Sequence, residues 1–434
     1  MTIGKRKGAT AKGAGDSSGN SDRFGGSLSK NDHWYIQQAF GLGVDPGAVP
    51  VIPGPAGHDA SGGIVSDWVD PSPGKVYRTH VFTSAGTFVV SELSGAYPAN
   101  VDYLVVGGGG GGGGAQGQSG GGGAGGFRTN LPGHPVAAPA YPVSETTYTV
   151  TVGAGGVGGP AATNAVYGTQ GGNSEFYPTP QPYPDVTRVR SDGGGAGAGY
   201  AANPDPAMNG GSGGGAVCSP SPRAAGTGNT PDPNHPQVQG YAGGEGTPSY
   251  TGPYAGGGGG GAGRAGAPDD PTTPLTRSTG GYGLQALIAG PAGAIGAPGP
   301  DPANGYFAGG GGGGRFNGGS AVGGYGGGGD GGPPSPSRGI PGTVSTGGGG
   351  GGGGEPYLEG GNGGSGIVAI RYQIGTVEPG AKATGGLISK YDGKFIHTFV
   401  NSGTFATGPT WTSTTVEYVV VGGGGGGEGS GGNG

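Results

Sequence analysis

The chain has almost no cysteine. Its 434 residues include one, Cys218. A single thiol forms no intrachain disulfide framework and no cysteine cluster for a structural metal. Methionine (2) and tryptophan (3) are also scarce, and hydrophobic residues make up only 31% of the chain. A conventional hydrophobic core as large as the whole chain is therefore not expected, and stability must have another source.

Long hydrophobic runs and excess charge of one sign are missing too. No run approaches the ~20 apolar residues needed to cross a bilayer, so we expect no membrane insertion. The first 30 residues are basic but lack the apolar stretch of a signal peptide, so we do not expect export by the general secretory route. The net charge of -6 is small for this length and indicates no nucleic-acid partner.

Catalytic patterns occur only as coincidences of a Gly/Ser-rich sequence. Residues 117–121 and 210–214 fit the nucleophile-elbow pattern G-x-S-x-G, but neither opens a helix after a buried strand. No Gly-Lys-Ser/Thr sequence exists, and the six histidines lack metal-site spacing. We interpret Asp269-Asp270, between two prolines, as a solvated turn. The sequence therefore predicts no enzyme, no cofactor and no metal site.

Glycine is what the sequence has in excess. Glycine (122 residues) and proline (39 residues) together exceed a third of the chain, a level typical of low-complexity or disordered sequences. Collagen is set aside because long glycine runs break any strict Gly-X-Y period. The first long tract is eight glycines at 107–114, directly after the apolar residues 101–106. Such a tract is either a flexible linker or a structure made from backbone hydrogen bonds alone.

Short β-type segments frame the glycine-rich blocks. Residues 77–82 and 86–90 flank a turn at 84–86, which predicts a hairpin. Further strands are predicted at 101–106, 147–152 and 366–372. The glycine-dominated blocks lie at about 107–126, 153–159, 193–199, 210–215, 255–266, 309–329, 346–354 and 361–366. A linker is not built with strands at its ends, so this arrangement favours order.

An internal repeat also argues against disorder. Residues 80–88 (HVFTSAGTF) recur as 397–405 (HTFVNSGTF), and residues 101–106 (VDYLVV) recur as 416–421 (VEYVVV), each VxYxVV segment leading into glycines. A disordered tract has no need to repeat both its hydrophobic frame and its strand-to-glycine junction. For the histidines that begin the first repeated segment, His80 and His397, we expect a structural role on a strand face.

Composition and repeat together divide the chain into five segments. We interpret them as a disordered basic leader (1–30, or a docking arm that orders on a partner), an N-terminal attachment segment (31–75), a first glycine-rich domain copy (76–375), a linker (376–394) and the start of an incomplete second copy (395–434). We expect either that the sequence is cut at its last residue or that the polypeptide continues. In the attachment segment, Trp34, Tyr35 and Phe40 are candidates for attachment to a larger assembly or for a small element tucked under a neighbour.

The fold class expected is mostly irregular and β, with almost no α-helix. Ordered glycine blocks would be polyproline-II-like polyglycine helices, with three residues per turn and ~3.1 Å per residue. Such helices bond nothing internally, so only a packed bundle with nearly every buried backbone group paired is stable. Short strands would frame this polyglycine-II bundle, and long Pro-rich loops would connect it. Single alanines would be tolerated where a helix faces outward, for example Ala115, Ala124, Ala196, Ala198 and Ala262.

These segments resemble the glycine-rich domain of tail-fibre and host-recognition adhesin proteins of tailed bacteriophages. The resemblance covers roughly residues 77–372 and the start of the second copy. The matching segments are 80–88, 101–107 (VDYLVVG), 125–129 (GGFRT), 148–155 (YTVTVGAG), 171–176 (GGNSEF) and 363–372 (GGSGIVAIRY). The resemblance implies a polyglycine-II bundle capped by strands, on a virion tail fibre that presents loops to a bacterial surface.

The function expected is that of a structural and adhesive fibre protein of a phage virion. Its partners would be other tail proteins through the N-terminal region and a bacterial surface glycan or outer-membrane protein, and the protein would be a homo-oligomer. Aromatic residues in the loops are candidates for receptor contact because rings stack on sugars at low entropy cost, or else they cover the ends of the bundle. They are Phe176, Tyr177, Tyr183, Tyr250, Tyr254, Tyr306 and Phe307. The alternatives are an extracellular filament or matrix subunit that assembles through the same packing, and a disordered silk-like or wall-associated tract.

Overall fold

The structure, a computed structural model, describes most of the chain from residue 57 onward. It describes residues 57–70, 75–114, 118–161, 167–180, 187–199, 207–219, 224–229, 237–246, 254–269, 277–290, 295–300, 305–316, 321–333, 338–355, 358–375, 383–391, 394–408, 411–412 and 415–421. Within these ranges the protein is β and irregular, with no α-helix. Accordingly, none of the described segments is a helix long and apolar enough to cross a membrane.

Seventeen short strands are present in the described ranges. In chain order they are β1 (Asp59–Ser61), β2 (Ile64–Asp70), β3 (Lys75–Phe82), β4 (Gly86–Glu92), β5 (Asn100–Val106), β6 (Phe127–Thr129), β7 (Tyr141–Pro142), β8 (Thr147–Thr151), β9 (Ser174–Thr179), β10 (Val189–Ser191), β11 (Leu284–Gln285), β12 (Tyr306–Phe307), β13 (Ile367–Gly375), β14 (Ala383–Thr384), β15 (Leu387–Tyr391), β16 (Lys394–Thr398) and β17 (Ala406–Thr407). The strands predicted at 101–106, 147–152 and 366–372 are thus confirmed as β5, β8 and β13.

Two antiparallel sheets contain most of these strands. The first has the order β1-β4-β8-β9-β10. The second has the order β2-β3-β13-β5-β6, with β7 also pairing with β5. The pairs β11-β12, β14-β17 and β15-β16 form separate two-stranded sheets. In the second sheet, β13 is central: it pairs with β3 along one edge and with β5 along the other.

The main apolar core lies between the two sheets. Alternate residues of β5, Val101, Tyr103 and Val105, lie in one cluster with Phe88 of β4 and Phe176 of β9. The period of two is the pleat of a strand, which sends successive side chains to opposite faces. Rings in this cluster stack or meet edge to face, as Phe88 and Phe176 do with centroids 6.2 Å apart. The packing of the two main sheets against each other is therefore stabilised by aromatic contacts as well as by apolar burial.

The opposite face of the second sheet is covered as well. Leu104 and Val106 of β5 point into a second cluster that contains Phe127, Ile288 and Phe307. Burial on both faces explains why residues 103–106 of the strand are continuously apolar and do not alternate with polar residues. This second cluster also joins the sheet to the glycine blocks, because alanines of two blocks lie in it.

The predicted hairpin at 77–90 is wrong. β3 pairs with β2 and β13 in the second sheet, whereas β4 pairs with β1 and β8 in the first. The turn between them carries the chain from one sheet to the other, and both Phe82 and Phe88 point into the core between the sheets. Short alternating strands around a turn have the same pattern in a hairpin and in such a crossing, so the sequence does not distinguish them.

The glycine block at 107–114 is buried among six other segments. Every third N–H donates to the same neighbour: those of 107, 110 and 113 to segment 120–126, those of 108 and 111 to segment 169–172, and those of 109 and 112 to segment 361–364, with N···O distances of 2.8–3.0 Å. Its carbonyls accept, again in steps of three, from segments 153–159, 193–199 and 347–354 at 2.8–3.0 Å. The block is thus held by backbone bonds to other parts of the chain.

Side chains are sterically excluded from this interior. A Cβ added to Gly110 would lie against the carbonyl of Gly195, and one added to Gly113 would lie against that of Ala198. The expectation that alanines face outward is wrong where they are described: Ala124, Ala196, Ala198 and Ala262 are all buried. Ala124 and Ala262 pack in the apolar cluster beneath the second sheet, and Ala198 lies in a small cluster with Val217. Their methyl groups therefore fill contacts at the boundary of the blocks. Ala115 lies outside the described residues.

Strands β1 and β2 belong to the first repeat copy, although they lie in the segment interpreted as an attachment region. They pair with β4 and β3, respectively. The second copy has the same arrangement further along the chain: β14 pairs with β17 and β15 pairs with β16. Residues 60–66 (ASGGIVS) and 383–389 (ATGGLIS) are the corresponding segments, a short similarity that the glycine junctions alone do not indicate. The second copy thus includes residues interpreted as a linker.

Candidate functional site

The glycine blocks have one end at the sheets and one end away from them. Six blocks begin or end next to a strand, at residues 107, 126, 153, 172, 193 and 366. Because these blocks pair side by side, their other ends, near residues 114, 120, 159, 168, 199 and 360, share the opposite end of the unit. Because glycine has no side chain, recognition by side chains depends on residues at the two ends of the blocks and on the few other residues along them.

Tyr254 and Phe316 form an aromatic pair at the far end. Their ring centroids are 4.9 Å apart, and the Phe316 N–H donates to the Tyr254 carbonyl at 3.0 Å. The pair flanks the isolated bridge between Ala255 and Arg315. Tyr254 is partly exposed, so it both covers the end of the blocks and presents an edge to solvent.

A buried ion pair supports this end of the blocks. Asp269 and Arg277 are both buried and paired through their side chains. The second Asp269 oxygen accepts from the Ala255 N–H at 2.8 Å, and an Arg315 N–H donates to the Arg277 carbonyl at 2.6 Å. The interpretation of Asp269 as a solvated turn residue is therefore wrong: the carboxylate ties three loops together. Its neighbour Asp270 lies outside the described residues.

A tyrosine cluster lies at the other end, beside β12. The rings of Tyr282 and Tyr325 stack at 4.9 Å with an interplanar angle of 9°, and Tyr306 meets Tyr325 edge to face at 5.2 Å. All three tyrosines are partly exposed, and the guanidinium of exposed Arg264 lies 6.0 Å from the Tyr282 ring centroid. Val322, one three-residue step before Tyr325, is 58% exposed. Aromatic rings beside a cation and an apolar side chain suit a sugar ring with polar edges.

Sequence reasoning found Tyr306 but missed its partners. Tyr282 and Tyr325 are 43 positions apart in the sequence. They meet because the Gly283 N–H donates to the Tyr325 carbonyl at 2.8 Å, which sets two glycine-rich segments side by side. The available signal was a tyrosine within each of two glycine tracts, but the pairing of those tracts is not encoded in side chains.

The remaining predicted contact residues are distributed over the molecule. Phe176 and Phe307 are fully buried in the two apolar clusters, so their rings are not accessible at the surface. Tyr177 lies on β9 opposite Thr149 of β8 and is partly exposed. The others lie outside the described residues; they are Tyr183, Tyr250, Trp34, Tyr35 and Phe40.

His80 has the structural role expected of it. Its Nδ1 donates to the Gly62 carbonyl at 2.7 Å, and its Nε2 accepts from the Tyr372 hydroxyl at 3.1 Å. Burial lowers the pKa of His80 to about 4 and raises the pKa of Tyr372. Both groups therefore stay neutral at pH 7, as a buried hydrogen-bonded pair requires. The same bond recurs in the second copy, from His397 Nδ1 to the Gly385 carbonyl at 2.7 Å.

Arg371 is a buried cation of the second sheet. Its guanidinium bonds the Asp102 carboxylate on the neighbouring strand, with Nη2 2.7 Å from Oδ2. The same group lies 4.2 Å from the Tyr77 ring centroid and 5.6 Å from that of Trp68. Ion pairing and stacking on aromatic faces satisfy this cation within the sheet, so its role is structural. In the described ranges no three His, Cys, Asp or Glu residues group as metal ligands.

Comparison with known proteins gives a family match over the centre of the chain. A family model described as a glycine-rich domain matches residues 83–373, which is more than half of the chain. The matched range begins just after β3 and ends within β13, so it includes the core between the sheets and the glycine blocks. No curated protein matches the sequence.

Proposed function

The chain belongs to the glycine-rich domain family, and we propose that it is a structural and adhesive fibre protein of a phage virion. In this proposal the protein is part of a tail fibre and attaches to the host surface through side chains at the ends of its glycine blocks. The observation that carries the proposal is the network of backbone bonds around residues 107–114, which joins the blocks side by side into a unit with two ends.

We further propose that the glycine blocks are polyglycine-II helices packed into a bundle. The support is the period of three: successive N–H groups along a block point to three different neighbours and return to the first after three residues. Three donor and three acceptor directions give each inner helix six neighbours. Each added Cβ would meet a neighbouring backbone, which accounts for runs of glycine as long as the bundle.

A bundle of this kind suits a fibre that must present contacts without bending. Its interior bonds are distributed over the whole backbone, so no single loop holds the ends together. Recognition would lie in the tyrosine cluster and in the far-end loops near Tyr254, since the glycine surfaces between them offer few side chains. The ligand class that fits stacked tyrosines beside Arg264 is a bacterial surface glycan.

Binding to a panel of bacterial strains tests this function. We expect the fluorescently labelled full-length chain to bind some strains saturably and others not, as measured by flow cytometry. Replacing Tyr282 and Tyr325 together by alanine should reduce binding at least fivefold while copy 1 remains folded by circular dichroism. Val157→Ala, at an exposed residue of a different block, is the matched control and should bind like the parent chain.

Two outcomes would contradict the proposal. If no strain binds the chain and negative-stain images show long homopolymers, the filament alternative is correct. If the chain binds but the tyrosine variant binds equally well, the contact lies elsewhere on the fibre and the tyrosine cluster is scaffold.

A further inference from the structure

Arg315, at the far end of the blocks, is a cation whose hydrogen bonds the fold does not complete. Its Nη2 donates to the Arg277 carbonyl at 2.6 Å. Among the described residues it forms no ion pair, and its Nε, which is buried, has no hydrogen-bond partner. A buried N–H of a charged group that lacks a partner is more costly than a neutral one. The described protein groups around this guanidinium therefore do not satisfy it.

The surroundings of Arg315 contain one carboxylate and a second cation. The Asp269 carboxylate is already engaged, because one oxygen bonds Arg277 and the other accepts from the Ala255 N–H. Burial and the nearby Arg277 cation lower the pKa of Arg315, and Asp269 opposes this only in part. Arginine stays protonated at neutral pH, so two guanidiniums against one carboxylate leave one positive charge here. An oxyanion beside Arg315 would compensate that charge.

Two other arginines show how the fold satisfies an enclosed guanidinium. Arg78 bonds both oxygens of the Asp67 carboxylate, and Arg371 bonds the Asp102 carboxylate. In both cases the carboxylate lies on a neighbouring strand and pairs with that one arginine. Arg315 departs from this pattern, so packing of the far end alone does not account for a cation at this position.

Arg315 is next to the aromatic pair at the surface of this end. It directly precedes Phe316 and forms the isolated bridge with Ala255, the residue that follows Tyr254. The rings of Tyr254 and Phe316 have centroids 4.9 Å apart, and all three side chains are partly exposed. Aromatic rings provide an apolar face at low entropy cost, and such a face suits the C–H side of a sugar ring.

We propose that Arg315, Tyr254 and Phe316 form a binding site for an acidic sugar, in which the guanidinium binds the carboxylate or phosphate of the sugar and the rings contact its apolar side. The inference rests on the proposed attachment to a surface glycan and specifies the charge of that glycan. The planar guanidinium fork matches both oxyanions with charge-assisted hydrogen bonds, which are stronger than neutral ones. An uncharged sugar would leave the positive charge uncompensated.

An acidic trisaccharide tests the site in the full-length chain. The probe is fluorescein-labelled trigalacturonic acid, titrated with the purified protein and followed by fluorescence anisotropy. We expect saturable binding, at least tenfold weaker binding of labelled galactotriose, which lacks the carboxylates, and weaker binding of the acidic probe in 500 mM than in 50 mM sodium chloride. Arg315→Gln should weaken binding of the acidic probe at least tenfold. Arg338→Gln, which removes the same charge from an exposed pair with Glu359, is the matched control and should bind like the parent chain.

Hydrogen exchange locates the site without any variant, so the test survives if Arg315→Gln lowers the thermal midpoint. Trigalacturonic acid should slow exchange in peptides that contain 254–256 and 314–316, and should leave peptides that contain 322–325, at the tyrosine cluster, unchanged. Slowed exchange at 322–325 alone would overturn the proposal, because the sugar would then bind at the other end.

Glucose 6-phosphate and inorganic phosphate separate the two sources of the oxyanion. Competition by glucose 6-phosphate that exceeds competition by trigalacturonic acid, and that is lost in Arg315→Gln, would support the site and assign the acidic group as a phosphate. Inorganic phosphate that competes as well as the sugar phosphate would overturn the role of the sugar ring. Absence of saturable binding of either acidic sugar, equal binding of galactotriose or an unchanged affinity of the Arg315→Gln chain would overturn the site itself.

These results are distinguishable from failure of the proposed function. A chain that binds bacterial strains but neither acidic sugar contradicts the acidic-sugar site and leaves adhesion intact. A chain that binds an acidic sugar through Arg315 but no bacterial strain supports the site and contradicts the adhesive function.

Discussion

Replacing Gly110 by alanine is the sharpest perturbation of the glycine blocks. The added Cβ would lie against the Gly195 carbonyl, so the two segments must separate. Three bonds meet at this point: from Gly110 N–H to the Gly123 carbonyl (2.8 Å), from Gly123 N–H to the Gly195 carbonyl (2.8 Å), and from Gly350 N–H to the Gly110 carbonyl (3.0 Å). Each buried group that loses its partner costs ~1–3 kcal/mol.

If two such groups are left unpaired, the free energy of unfolding falls by about 2–6 kcal/mol. Alanine stiffens the unfolded chain and offsets this by ~0.4–1 kcal/mol. We therefore expect a net loss of several kcal/mol, and a larger loss for Gly110→Val. Gly95 is the matched control, because a Cβ there meets nothing within 4 Å and its φ is not in the left-handed region. Gly95→Ala should change stability by less than ~1 kcal/mol.

Urea unfolding followed by circular dichroism measures both variants against the parent chain. The reasoning is refuted if Gly110→Ala and Gly95→Ala have the same midpoint and slope within error. That result would mean that the backbone around Gly110 is loose enough to admit a methyl group.

Two further predictions concern the sheets. Since burial holds the pKa of His80 near 4, below its unfolded value of ~6.5, the unfolded state gains a proton first as the pH falls. The contribution of His80 to the free energy of unfolding should therefore be fully present above pH 6.5 and should fall by up to ~3 kcal/mol as the pH is lowered to 4. In urea unfolding across that pH range, the His80→Gln variant should lack this part of the pH dependence. Arg371→Lys should cost ~1–3 kcal/mol because an ammonium group does not reproduce the two guanidinium N–H bonds to Asp102 or the flat stacking on Tyr77. Arg338→Lys, in an exposed pair with Glu359, should change the thermal midpoint little.

Strand positions are predictable from the sequence because each apolar run has to pack on a sheet. The junction from residues 101–106 into glycine and its repeat at 416–421 are enough to place β5 and to identify the corresponding segment of the second copy. Alternation does not show that β3 and β4 join different sheets, because a hairpin and a crossing between sheets leave the same pattern.

The pairing of the glycine blocks is beyond sequence reasoning for a different reason. Lateral backbone bonds have no side-chain code, so one glycine tract is as suitable a partner as another. The contact of Tyr282 with Tyr325 depends on that pairing, and so does the burial of Asp269 between loops. The buried alanines show the same limit: Ala124 is compatible with an outer face in the sequence, yet its methyl group fills the cluster beneath the second sheet.

Hydrogen exchange of the glycine amides tests the central claim, that the blocks are packed polyglycine-II helices. The experiment uses the full-length chain in deuterated buffer, with exchange read by mass spectrometry on peptides that cover 107–114, 120–126 and 347–354. The account predicts strong protection of all three segments, lost together with the sheets on unfolding. Exchange of these glycines at random-coil rates, while β5 and β13 stay protected, would contradict it and show that the blocks are linkers between sheet strands.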